Sequence, residues 1–119
     1  MKHTDKGSSY SIYAVRNKRN GKMYIGMSSD IESRIRAHFV DLRRCGGCCQ
    51  AMREDAKDGS ITDWEFYCLE SKLTKQEARE RESYYITYYE TRNPAKGYNK
   101  KHPSAIPVID IRQEMPPAL

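Results

Sequence analysis

Residues 10–26 run YSIYAVRNKRNGKMYIG, and how this stretch pairs with itself decides the fold. Tyr10, Ile12, Tyr13 and Val15 form a short β-forming run, and Met23, Tyr24 and Ile25 resume it. Asn20-Gly21 between them is a hairpin signal, because both residue types accept positive φ. Two registers satisfy it. A two-residue turn at Asn20-Gly21 pairs Asn17 with Tyr24, whereas a four-residue loop from Lys18 to Gly21 pairs Val15 with Tyr24. Side chains repeat every second residue along a strand, so either register puts Tyr13 and Tyr24 on one face. In the second they are diagonal neighbours, about 7–8 Å apart. Two phenols so placed are either an ordinary core pair or two members of a site.

The rest of the chain sets bounds on that choice. Its 119 residues suffice for one domain with one core. A net charge of +5 and a pI of about 9.0 favour an anionic partner. Nine tyrosines against two phenylalanines and one tryptophan suit half-buried positions where a hydroxyl must reach water, phosphate or a side chain. No apolar run approaches the length of a membrane span, so no membrane partner is expected. The start, MKHTDKGSSY, lacks the apolar segment of a signal peptide. The expectation is therefore a cytoplasmic protein with its four cysteines reduced. Residues 1–9 read as a flexible N-terminus, 10–99 as the domain, and 100–119 as a Pro-rich tail in which IPVID at 106–110 is a candidate docked strand.

Beyond the hairpin the periodicity turns helical. Ser29 with Glu32 fits a capping box, and Ile31, Ile35, Phe39 and Leu42 form one stripe through residues 30–43. Arg34 and His38, four apart, flank this stripe at the border of the core. CGGCC at 45–49 breaks the helix, a shorter one is expected over 48–57, ending near Gly59, and ITDWEFYCLE at 61–70 reads as a strand. On that strand Trp64, Phe66 and Cys68 share a side. Thr74 with Glu77 opens a last helix over 75–90, ended by Asn93-Pro94. Its stripe is Ala78, Tyr85, Ile86 and Tyr89, and Glu82 falls inside it. A carboxylate on a buried face must be ion-paired, hydrogen-bonded or bound to a metal. A structural pair with Arg34 and a ligand role both satisfy that requirement.

SIY, then YIG after a turn, then Arg34 on the next helix, Glu82 on a later one and Asn99 in GYN: this order resembles the GIY-YIG nuclease family. The resemblance covers residues 10–99. YIGMSSDIESRIRAHF with the later RESYYI and GYN is most similar to the catalytic domain of phage-type homing endonucleases of that family. One departure is Ser11, where the family has glycine. The resemblance implies an α+β fold, a small three-stranded antiparallel sheet flanked by helices. It implies metal-dependent endonuclease activity on DNA phosphodiester bonds, with Mg²⁺ or Mn²⁺ as cofactor and double-stranded DNA as partner. Tyr13 and Tyr24 match the tyrosines of the two motifs. Arg34 matches an arginine that contacts the scissile phosphate, and Glu82 the single carboxylate that binds the metal. Asn99 matches the asparagine that closes the motif set, and His38 a position often histidine in the homing-enzyme branch.

The chemistry agrees. Hydrolysis of a phosphodiester needs an in-line nucleophile, neutralised phosphoryl charge and a stabilised leaving group. Mg²⁺ takes one or two carboxylates and leaves its other positions to waters and phosphate. Arginine offers phosphate two parallel donors. A phenol is a poor base at an ordinary pKa near 10, but neighbouring cations favour the phenolate. Tyr13 is the expected base, with Tyr24 and Lys22 orienting the water or supporting that ionisation; the two tyrosines can exchange roles.

Two other readings compete. A DNA-binding module on the same fold that no longer cuts would be favoured by loss of any of Tyr13, Tyr24, Arg34, Glu82 or Asn99, and all are present. Cys45-x-x-Cys48 is half of a zinc site, with Cys49, Cys68 or a histidine as further ligands, but no second C-x-x-C or H-x-x-x-H completes it. Homing enzymes of the family continue into a linker and a DNA-binding domain, so the chain is either a compact nuclease or the catalytic portion of something longer. One motif set gives one active site per chain, in a monomer or weak homodimer.

Overall fold

The structure is a computed structural model, and it describes residues 9–100 and 115–119. Across these residues the order is β1 (Tyr10–Asn17), β2 (Met23–Ser28), α1 (Ile31–Arg43), α2 (Gln50–Asp58), a 3-10 turn (Ile61–Asp63), β3 (Trp64–Leu73) and α3 (Lys75–Tyr88). The strands form one antiparallel sheet in the order β2-β1-β3, with β1 central. The hairpin adopts the four-residue loop. Val15 pairs with Tyr24, the Asn17 N–H bonds to the Lys22 carbonyl at 2.9 Å and Gly21 N–H to the Asn17 carbonyl at 2.7 Å. Gly21 closes the loop at φ +78°, where a side chain would be strained.

Both faces of the sheet are buried, which is why β1 is apolar on both sides. On one face Ile12, Ala14 and Ile25 pack with Tyr67 and with Ala78, Tyr85 and Ile86 of α3. On the other Tyr13 and Val15 pack with Leu42, Met52, Trp64 and Tyr98, under α1 and α2. Two core layers share one strand, so the alternation along β1 sends Tyr13 to one layer and its neighbours Ile12 and Ala14 to the other.

Several local expectations shift. Helix α1 is capped by Asp30, whose carboxylate accepts from Ser33 N–H at 3.1 Å, not by Ser29. Ser28 takes the preceding amide, donated by Asp30 N–H at 2.9 Å, so the cap falls one residue later. Phe39 was expected in the buried stripe, yet it is 39% exposed, and His38 beside it is 8% exposed. Phe39 instead lies against the Phe66 ring, centroids 6.3 Å apart, because the phenols under α1 claim the inward position for the imidazole. Helix α2 begins at Gln50. Residues 61–63 are a 3-10 turn instead of strand, held by the Ser60–Asp63 capping box, and β3 runs on to Leu73. The Thr74–Glu77 box forms as its residue types require, and α3 stops at Tyr88. The IPVID segment lies outside the described residues. Among those described, no helix is long and apolar enough to cross a membrane.

Candidate active site

The two hairpin phenols meet under α1. Tyr13 and Tyr24 have ring centroids 6.3 Å apart. His38 reaches down from α1 to both, at 5.4 Å and 5.7 Å. Tyr13 Oη and His38 Nε2 are 3.1 Å apart and hydrogen-bonded, and which one donates depends on the imidazole tautomer. The phenol of Tyr13 lies directly over its cross-strand partner Gly26. A Cβ on Gly26 would come 2.4 Å from Tyr13 Cζ and Oη, so the glycine of YIG is there to admit the ring.

Glu82 arrives from α3. It is 7% exposed between Ala78 and Ile86. With Tyr24, Cys48, Tyr98, Asn99 and Lys100 it lines a cleft of about 240 Å³. This cleft opens beside β2, an edge strand of the sheet, where a helix from one face and a phenol from the other can reach the same space. Arg34 is exposed on the solvent side of α1 and also lines a polar recess with Ser28, Ser29 and Ser33. Its charge acts on Tyr13, Tyr24 and His38 alike.

The electrostatics differ from the sequence expectation in one respect. Cations beside the phenols were expected to favour phenolate. Arg34 does pull both downward, but burial outweighs it. Burial, with Tyr24 nearby, pushes Tyr13 well above the ordinary phenol value. Burial, then Cys48 and Glu82, push Tyr24 up to about 12. His38 is lowered, first by burial and then by Arg34, with Asp41 opposing. The cluster at neutral pH therefore consists of two neutral phenols and a neutral imidazole.

Asn99 closes the site through the backbone. Its Oδ1 accepts from Ile25 N–H at 2.8 Å and its Nδ2 donates to the Ile25 carbonyl at 2.9 Å. Tyr98 N–H bonds to the Met23 carbonyl and Met23 N–H to the Lys96 carbonyl, so the GYN loop runs beside β2 on both sides of Tyr24. Gly97 permits this approach, since a Cβ there would meet Thr91 Cα at 2.4 Å. Lys22 stands apart from the phenol pair: its ammonium lies over the Tyr98 ring, 5.9 Å from the centroid.

Sequence reasoning passed over Gly26, Tyr98 and Lys100, and weighed Cys48 only as half of a zinc site, not as a wall of this cleft. A glycine inside a strand pattern is a signal of close approach, and Gly26 carried it. The Tyr98 hydroxyl donates to Asp55 at 2.6 Å and accepts from Asn17 Nδ2 at 3.2 Å, contacts that join segments 43 and 81 residues apart and leave no local pattern.

The donor set fits a hard cation. One buried carboxylate faces a cleft with room for waters and a phosphate, which suits Mg²⁺ or Mn²⁺ better than a closed protein cage. Among the described residues no three His, Cys, Asp or Glu side chains stand together as a metal-holding group. The zinc half-site gains no third ligand there. Cys45 and Cys48 turn to Ala56 and Met52, and Cys68 to the Glu70 carbonyl.

Fold and site together define a small catalytic domain built on one tyrosine-bearing hairpin. A sequence model of the GIY-YIG catalytic domain matches residues 9–99, and the chain belongs to that family. Over 92 residues it is 33% identical to Intron-associated endonuclease 1 of Enterobacteria phage T4, covering 74% of this chain and 35% of that protein. The chain thus spans about a third of that relative's length. Among solved structures it is similar to a point mutant of the catalytic domain of intron endonuclease I-TevI. The TM-score is 0.67 and the identity 25%, covering 82% of this chain and 99% of that one. The catalytic domain of homing endonuclease I-TevI gives a TM-score of 0.62 at 26% identity, covering 76% and 98%.

Proposed function

We propose that the chain is an endonuclease that hydrolyses phosphodiester bonds of double-stranded DNA, one strand at a time, from a single active site. The observation that carries this is the convergence of Tyr13, Tyr24 and His38 from the hairpin and α1 with the Glu82 carboxylate from α3, within reach of the charge of Arg34. The family and the phage relative support DNA as the substrate.

Glu82 would hold Mg²⁺ or Mn²⁺. When bound, the cation neutralises phosphoryl charge and acidifies water. The chain's own residues supply the rest. Arg34 presents two parallel donors to the non-bridging oxygens and spreads the charge that builds on them. Tyr13 takes a proton from the attacking water. Its phenol is neutral at rest, so it must pass its own proton on, and His38 is the acceptor. In the Nδ1–H tautomer, Nε2 receives the phenol proton across their hydrogen bond. The lowered pKa of His38 keeps it neutral and ready to accept at neutral pH. Tyr24 orients the water from the cleft side, and Asn99 fixes the β2 backbone that carries Tyr24.

The test is nicking of supercoiled plasmid with and without Mg²⁺ or Mn²⁺, with DNA binding followed in parallel. Divalent-dependent conversion to nicked circles is the expected result. Binding without conversion under either cation would leave a DNA-binding module on this fold.

A further inference from the structure

Lys100 has no part in the chemistry above, yet it lines the same cleft as Glu82 and Tyr24. Most of the other polar side chains on that wall are engaged elsewhere. The Tyr98 hydroxyl donates to Asp55 and accepts from Asn17. The Asn99 amide is taken up by the N–H and carbonyl of Ile25. Cys48 turns its thiol to Met52, and burial, with Cys49 beside it, pushes that thiol up to about 12. Among the described residues that line the cleft, Lys100 is the cation. It is exposed, so its four-carbon stem can bring the ammonium onto a bound phosphate.

The main chain of Lys100 is fixed relative to Glu82. Thr91 N–H bonds at 3.1 Å to the carbonyl of Ile86, one turn after Glu82 on α3. Asn99 N–H bonds to the Thr91 carbonyl at 3.0 Å, and the Lys100 carbonyl accepts from Arg92 Nε at 3.2 Å. Topology then sets the side from which Lys100 enters. Strand β2 has β1 along one edge, while the segment leading to Lys100 runs along the other, through the backbones of Met23 and Ile25. Tyr13 comes from β1, so Tyr13 and Lys100 approach from opposite flanks of β2. An in-line displacement has the same geometry, with the attacking and departing oxygens on opposite sides of phosphorus.

We propose that Lys100 is a further catalytic residue of this site, its ammonium donating a hydrogen bond to the oxygen that departs from phosphorus. The proposal rests on the nuclease reading. No side chain assigned so far serves that oxygen: Tyr13, His38 and Tyr24 act on the water, and Arg34 on the non-bridging oxygens. In the step, the water oxygen bonds to phosphorus and its proton passes to Tyr13, whose own proton goes to His38 and then to solvent. The bond from phosphorus to the departing oxygen breaks, and that oxygen keeps the electron pair. The ammonium stabilises the new charge through a charge-assisted hydrogen bond and stays protonated, and the released oxygen takes a proton from solvent water.

A change of leaving atom tests this. The wild-type cut is mapped on plasmid, and the end that carries the phosphate identifies the departing oxygen. Duplexes spanning the cut are then made with oxygen or with sulfur at that bridging position. An alkoxide is about as basic as hydroxide, from water of pKa about 15.7, whereas a thiol has a pKa of about 8.5, so a departing thiolate needs no such donor. Each variant is compared with wild type on the same duplex, with Mn²⁺. Lys100→Met should melt with the wild type, cut the oxygen duplex about a hundredfold or more slowly, and cut the sulfur duplex at the wild-type rate. Lys100→Arg, which keeps a cationic donor, should lose less on oxygen. Lys96→Met removes a surface lysine paired with Glu90 and should leave both rates unchanged. An equal deficit of Lys100→Met on both duplexes would make Lys100 a general phosphate contact. Wild-type cutting of the oxygen duplex by Lys100→Met would remove it from the site, and an equal loss in Lys96→Met would reduce the effect to net charge. Each of these three results overturns the proposal and leaves the nuclease reading standing. A wild-type chain that nicks under neither cation overturns both.

Discussion

The carboxylate of Glu82 occupies a helix face whose other members, Ala78 and Ile86, are apolar and buried. Glu82→Gln keeps its shape and removes the charge a hard cation requires. The variant is expected to fold and bind DNA, to lose Mn²⁺ binding by calorimetry, and to nick no faster than a metal-free control. Wild-type nicking by this variant would remove Glu82 from the metal site. Arg34 is exposed, so Arg34→Lys should leave the melting temperature within experimental scatter while losing the planar fork. A fall in nicking of about a hundredfold or more is expected. A loss confined to salt-sensitive binding would make Arg34 a general backbone contact. His38 is held neutral by burial and by Arg34. As pH falls below about 6.5 the unfolded chain takes up that proton before the folded one does, so stability is lost from there down through the lowered native value. Nicking should show an acid limb below the ordinary imidazole value. The phenols have the opposite sign. Tyr13 and Tyr24 are raised, so their contribution is intact below about 10 and is lost as pH climbs through their native values. Melting temperatures from neutral to strongly alkaline pH, for wild type and Tyr24→Phe, check this; the variant should decline less steeply.

The hairpin is the element on which the site depends, and Gly26 is where its packing can be tested. Gly26→Ala would put a methyl group into the Tyr13 ring. The ring must move, and its bond to His38 moves with it. A drop in nicking of about a hundredfold, beyond what the fall in melting temperature explains, is the expected outcome. Unchanged nicking would mean the phenol need not sit where it does. Much of this element was legible from its residues. The spacing of Tyr13 and Tyr24 about Asn20-Gly21 placed both phenols on one face in either register, because the period of a strand is two. Local signals placed the last helix with equal success, since Thr74 and Glu77 cap it through contacts three residues apart. Helix α1 was less legible. Phe39 and His38 are consecutive residues, about 100° apart on its wheel, and hydrophobicity favoured Phe39. The partner surface, two phenols with hydroxyls to satisfy, favoured His38.

At the scale of the molecule the described residues hold one set of the proposed site residues, and the strands of a duplex run in opposite directions. A site arranged for in-line attack fits one scissile phosphate at a time. Nicked circles should accumulate before linear DNA, and linearisation should rise more steeply with enzyme concentration than nicking does. A plasmid time course read beside the mass in solution checks both. Linear product without a nicked intermediate, from a species of dimer mass, would replace this with a preformed pair of sites.

By itself the sequence determined the order of elements, the shared face of Tyr13 and Tyr24, and the presence of a carboxylate inside the apolar stripe of the last helix. Each follows from a spacing of two, three or four residues, the distances over which strand pleat, caps and helix turns repeat. Only the tertiary structure decided that Tyr13 bonds to His38, that Asn99 clamps the Ile25 backbone 74 residues earlier in the chain, and that Cys48 faces the same cleft as Glu82. These contacts join segments distant in sequence. Their partners are chosen by which surfaces meet once the two core layers close on β1, and no periodicity within one segment encodes that meeting.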